Sequence, residues 1–123
     1  MPNSEQFPTL LLRLKQLLVP YASHLRVTDD GPSGYSLNTP FAEQYSKELF
    51  FGAVQINKNY VSYHLMPVYM FPDLLVDLSP RLKQRMQGKS CFNFTRLDDD
   101  LAAELGELTE RSFARLHQEQ LVK

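Results

Sequence analysis

The residues best suited to chemistry lie in two short strings, Tyr60-Val61-Ser62-Tyr63-His64-Leu65-Met66 and Gly88-Lys89-Ser90-Cys91-Phe92-Asn93-Phe94. Both alternate as strands do, so side chains two apart share a face. In the first, Tyr60, Ser62, His64 and Met66 point one way and Val61, Tyr63 and Leu65 the other. In the second, Cys91 and Asn93 oppose Phe92 and Phe94. Phenol, hydroxyl, imidazole and carboxamide offer hydrogen bonds, and Lys89 and Ser90 add a point charge and a second hydroxyl. Such a set suits a small anionic or aromatic ligand. With a hairpin loop at Asn57-Lys58-Asn59, Ile56 faces Tyr60, Val54 faces Ser62 and Gly52 faces His64. A glycine opposite a histidine leaves a vacancy above the sheet. A one-residue shift would pair His64 with Ala53 and close much of it. The competing reading is a structural histidine satisfied by a backbone carbonyl.

Other chemistries have weaker support. Cys91 beside Lys89 has the neighbour that activates a thiolate, yet free cysteines of strands are commonly buried and inert. Gly88-Lys89-Ser90 is not a phosphate loop: Lys83 stands where the motif needs glycine, and a strand follows rather than a helix. No Ser-His-Asp arrangement and no carboxylate pair can be read from spacing, so an enzyme is not expected. His24, His64, His117 and Cys91 form no short ligand pair. Asp98, Asp99, Asp100 and Glu104 are the residues for a loosely held hard cation, set against their ordinary role of capping a helix. Arg81, Lys83, Arg85, Lys89 and Arg96, with Tyr60, Tyr63 and Tyr69 to stack bases, sketch a weak single-stranded nucleic-acid surface. A solvated basic helix explains the same charges.

Composition sets the frame. A chain of 123 residues, 43% hydrophobic and 22% charged, reads as one globular domain over 1–123. A net charge of −1 gives no global attraction to nucleic acid or to anionic membrane. One cysteine excludes an internal disulfide. No run is long and apolar enough to span a bilayer, and no signal-peptide pattern opens the chain. The expected setting is cytoplasmic, with no membrane partner and room for a homodimer.

The positioning elements follow from periodicity. Ser4 reads as an N-cap, and Leu10, Leu11, Leu14, Leu17, Leu18 and Tyr21 recur at helical spacing, giving a helix over roughly 5–20. Residues 25–39 read as a hairpin with a long tip at Asp29–Gly34, and 39–48 as loop with a turn of helix. The hairpin of 49–66 follows. Ser79 and Pro80 open a short basic helix that Gly88 stops, Cys91–Thr95 is a strand, and Asp98 opens a long helix carrying Leu101, Leu105, Leu108, Ser112 and Leu116 on one side. This order predicts a single α+β domain: an antiparallel sheet of about five strands, two long helices on one face and short helices in a crossover.

Three strings carry a family resemblance: Phe51-Gly52-Ala53-Val54-Gln55-Ile56 with Lys58-Asn59-Tyr60-Val61-Ser62, Tyr63-His64-Leu65-Met66-Pro67-Val68-Tyr69, and Arg85-Met86-Gln87-Gly88-Lys89-Ser90-Cys91-Phe92-Asn93-Phe94. They resemble the YdhG-like family of small bacterial domains of unknown function, from about Phe7 to His117. The resemblance implies a compact α+β fold and no agreed catalytic activity. Some relatives are described as frataxin-like iron chaperones, and frataxins present iron on an acidic ridge that includes the first helix. Here that helix carries Arg13 and Lys15 and, after Glu5, no carboxylate. The expectation is therefore a non-catalytic binding protein, its pocket lying between the 49–66 hairpin and the 89–95 strand and lined by Gly52, Tyr60, Ser62, His64, Lys89, Ser90, Cys91 and Asn93. The alternative is an iron carrier using Asp98, Asp99, Asp100 and Glu104, and nucleic acid comes third.

Overall fold

Leucines at three- and four-residue spacing make the first helix, α1 (Phe7–Leu18), one-sided: Phe7, Leu10, Leu11, Leu14 and Leu18 are buried, and Leu12, Arg13 and Gln16 face solvent. The computed structural model of the protein describes residues 6–122; the Ser4 cap expected from the sequence lies outside them. Pro20 does not end the chain's helical turn abruptly. It is taken into a 3-10 segment, Val19–His24, which leads to the sheet.

Among the described residues six strands form one sheet: β1 (Arg26–Gly31), β2 (Gly34–Ala42), β3 (Lys47–Ile56), β4 (Val61–Leu65), β5 (Met86–Gln87) and β6 (Cys91–Phe94). Their order is β1-β2-β3-β4-β6-β5, and every neighbouring pair is antiparallel. The α+β architecture read from the sequence holds, with one strand more than expected. Strand β1 runs through Asp29, Asp30 and Gly31, so the long tip shrinks to Pro32-Ser33. An edge strand pairs on one side only and tolerates acidic side chains, which also deter pairing with another chain. Of the expected loop at 39–48, residues 39–42 extend β2 and 47–48 open β3, while Glu43–Tyr45 supply the expected turn of helix as a 3-10 turn. Where regular pairing of β2 with β3 lapses, the buried Thr39 hydroxyl accepts from the Leu49 N–H at 2.9 Å.

After β4 come α2 (Met66–Met70), a 3-10 turn (Pro72–Leu75) and α3 (Pro80–Lys83). Ser79 caps α3 as expected, its hydroxyl accepting from Leu82 N at 3.2 Å. The helix does not continue to Gly88: Met86 and Gln87 pair with β6 instead. Gly88 keeps the left-handed conformation expected of it (φ 79°), but spends it on a hairpin turn into β6. The last helix, α4 (Asp99–Gln118), starts at Asp98, whose carboxylate accepts from Leu101 N at 2.8 Å. Leu101, Leu105, Leu108, Ser112 and Leu116 are all buried.

Both long helices pack on one face of the sheet. Their leucines join Val54, Val61, Tyr63, Leu65, Phe92 and Phe94 in one buried cluster. The Tyr63 phenol meets the Thr109 hydroxyl of α4 at 2.6 Å, pinning strand to helix with a buried polar contact. No helix among the described residues is long and apolar enough to cross a membrane.

Candidate functional site

The face opposite the helices is set by the registers of β3, β4 and β6. Ala53 lies opposite His64, which in turn lies opposite Cys91; Gln55, Ser62 and Asn93 form the next row. The four-residue loop 57–60, closed by Asn57 N donating to Tyr60 O at 2.8 Å, pairs Ile56 with Val61. This corrects the expected pairing of Gly52 with His64. Gly52 lies opposite Leu65 on the helix side, where an added Cβ would sit 2.9 Å from His64 O and 3.2 Å from Leu18 Cδ2. Its missing side chain makes room for α1, not for a ligand. Tyr60 belongs to the loop and is half-buried.

Five side chains on this face join in one row. Asn57 Nδ2 donates to Ser62 Oγ at 2.7 Å, and Ser62 Oγ donates to Asn93 Oδ1 at 2.8 Å. The Cys91 thiol donates to the same Asn93 oxygen at 3.4 Å, and Cys91 Sγ lies 3.7 Å from His64 Nε2. Between the Cys91 sulfur and His64 Nε2, the imidazole tautomer sets which group donates. Burial pushes the Cys91 thiol up from its ordinary value, opposed in part by the Ser62 hydroxyl, and pushes the His64 imidazole down. Both shifts favour the uncharged forms.

Lys89 stands apart from this row. Its ammonium sits 5.8 Å from the centre of the exposed Tyr69 ring, a cation–π contact at the end of α2. Ser90 contributes its carbonyl, which accepts from Leu65 N at 2.9 Å and extends the β4–β6 pairing. Of the residues singled out from the sequence, the structure brings Ser62, His64, Cys91 and Asn93 into contact, and it adds Asn57. The signal for Asn57 was its place directly after Ile56, the last paired residue of β3, where an asparagine side chain reaches back to the sheet.

Three of the four carboxylates of the alternative reading, all but Asp100, have partners within the fold. Asp98 caps α4 and pairs with Arg81, and Asp99 pairs with Arg13 at 3.0 Å. Glu104 accepts from Ser79 N at 2.7 Å and from Ser79 Oγ at 2.6 Å. Among the described residues no group of three or more His, Cys, Asp or Glu side chains is arranged to hold a metal ion. Of the basic residues, Arg81, Arg85 and Arg96 converge on a cavity of about 450 Å³, which Lys83 and Lys89 do not line. A hollow of about 640 Å³ lies by His24, Phe41 and Val122, and one of about 350 Å³ by Arg13 and Arg96. None of these three is lined by His64, Cys91 or Lys89.

Comparisons of the chain with protein-family models, with curated proteins and with solved structures give no match.

Proposed function

We propose that this chain is a YdhG-like, non-catalytic cytoplasmic binding domain. The helix-free face of its sheet, centred on His64 and Cys91, takes a small aromatic or anionic molecule. The observation that carries this reading is the continuous row Asn57–Ser62–Asn93–Cys91–His64, whose contacts run from 2.7 to 3.7 Å. Such a row fixes the direction of every polar group before a ligand arrives, so little ordering is left to lose on binding. With its Oδ1 taken up by Ser62 and Cys91, Asn93 keeps its amide N–H as a donor to a ligand oxygen, and the His64 ring offers a second polar contact. Ala53 beside His64 keeps the floor low enough for a flat ring. Tyr69 and Lys89 stand at the end of the strand, and offer a second ring and a charge.

Catalysis by the same pair is disfavoured on chemical grounds. A cysteine nucleophile reacts as thiolate and is activated by a cationic neighbour, whereas burial here holds thiol and imidazole neutral. Iron carriage by the α4 carboxylates is disfavoured because Asp98, Asp99 and Glu104 would each have to give up a partner within the fold.

The test is a thermal-shift screen of aromatic carboxylates and neutral heteroaromatic compounds against the wild type, His64→Ala and Lys89→Ala. Saturable stabilisation that His64→Ala abolishes and Lys89→Ala weakens for the anionic compounds alone is the expected result. Stabilisation equal in all three proteins would place the binding elsewhere.

A further inference from the structure

We infer that the cavity walled by Arg81, Arg85 and Arg96 is a second binding site, one that takes a phosphomonoester carried on an apolar body. The three arginines come from separate points of the chain: α3, the turn between α3 and β5, and the loop between β6 and α4. Arg81 and Arg85 share one basic run, and the fold brings Arg96 from beyond β6 to the same hollow of about 450 Å³. Cavities of roughly 300–1,000 Å³ hold molecules of metabolite size.

Charge within the cavity is unevenly spent. Asp98 is committed twice, to Arg81 and to the Leu101 N–H of α4, and the neighbouring Asp99 turns to Arg13. Arg85 and Arg96 form no ion pair among the described residues. Two arginines without an ion-pair partner therefore line one space, and Arg81, paired with the Asp98 that shares this lining, stiffens its wall. One guanidinium fork saturates a carboxylate's two oxygens. A phosphomonoester has three terminal oxygens and a charge near −2, so it can engage two forks at once. Leu97 and Leu101, 7% and 8% exposed, make an apolar surface beside the charges, so the ester's other end is apolar too. The site lies off the His64 face, and its proof or disproof is independent of that reading.

The test uses phenyl phosphate as probe, with inorganic phosphate and benzoate as comparisons at constant ionic strength, followed by amide NMR shifts. The proteins are the wild type, the double variant Arg85→Gln/Arg96→Gln and, as control, Arg111→Gln on the exposed side of α4. Arg85 and Arg96 are exposed, so their replacement leaves the core untouched. Saturable shifts at Arg96, Leu97 and Leu101, tighter for phenyl phosphate than for either comparison, are expected. The double variant should lose at least about tenfold in affinity, the worth of charge-assisted hydrogen bonds, with Arg111→Gln unchanged. Shifts that do not saturate, or that survive the double substitution, overturn the inference. So does a single-stranded oligonucleotide that displaces the probe with steep salt dependence, which would identify a polynucleotide surface instead.

Discussion

His64 Nε2 lies 3.7 Å from Cys91 Sγ, on neighbouring strands of the sheet face that the helices leave open. The pair has the members of a cysteine–histidine nucleophile but not its charge state, since burial raises the thiol's pKa and lowers the imidazole's. Alkylation of Cys91 by iodoacetamide at neutral pH should therefore run several-fold slower than that of a free thiol with its ordinary pKa of about 8.5. The rate should climb with pH past that value, and His64→Ala should change it little. A rate flat between about pH 6 and 8 and collapsing in His64→Ala would reveal a thiolate–imidazolium pair.

The same burial makes His64 a source of acid sensitivity. Its ordinary pKa is 6.5, and the folded value is lower, so the unfolded chain takes up the proton first as pH falls. Stability is unaffected above the unfolded value, declines as pH drops below it and levels off beneath the folded one. Urea midpoints at about pH 7 and pH 5 should show a loss in the wild type that His64→Gln reduces. The carboxylates of Asp73 and Asp98, whose pKa values are lowered chiefly by the Arg115 pair and by the Leu101 N–H respectively, act at more acid pH and do not obscure this window.

Gly52 discriminates between a ligand vacancy and a packing contact. An alanine Cβ there would meet the backbone oxygen of His64 at 2.9 Å, with Leu18 and Leu65 methyls at 3.2 and 3.3 Å. Gly52→Ala should cost about 1–3 kcal/mol in urea unfolding, the usual penalty for overpacking a core. A variant as stable as the wild type would mean that α1 does not press on β3 at this point.

Ser79 and Glu104 tie α3 to α4 through two hydrogen bonds of 2.7 and 2.6 Å. Ser79→Ala, which removes the cap of α3 and one of these bonds, should cost about 0.5–2 kcal/mol. Glu104→Ala should cost a similar amount, and the double variant less than the sum, because both substitutions break the same contact. Additive losses would contradict a shared contact.

Much of this molecule can be read from periodicity. The stripe of Leu101, Leu105, Leu108, Ser112 and Leu116 and the caps Ser79 and Asp98 declare themselves, because a helix needs only local spacing and one polar residue at its start. Alternation likewise assigns Val61, Tyr63, Phe92 and Phe94 to the core and Ser62, His64, Cys91 and Asn93 to the other side. What alternation cannot fix is register between strands. A loop of 57–59 would pair Ile56 with Tyr60, whereas the loop of 57–60 pairs it with Val61, and that single step moves Gly52 from His64 to Leu65. The strand at Met86–Gln87 was hidden for a related reason: two residues have no period, and their pairing depends on Gly88 turning the chain back. The basic run from Arg81 to Arg96 is plain in the sequence, but which of its charges share a cavity is not: the turns of the chain bring Arg81, Arg85 and Arg96 together and leave Lys83 and Lys89 out.

The most direct measurement of the central claim is an amide NMR map of the sheet with an aromatic carboxylate such as indole-3-acetate as probe. Saturable shifts concentrated at Ala53, Ser62, His64, Cys91 and Asn93, absent in His64→Ala, are the outcome the binding face requires. Saturable binding whose shifts leave these five residues still, or persist unchanged in His64→Ala, would contradict it.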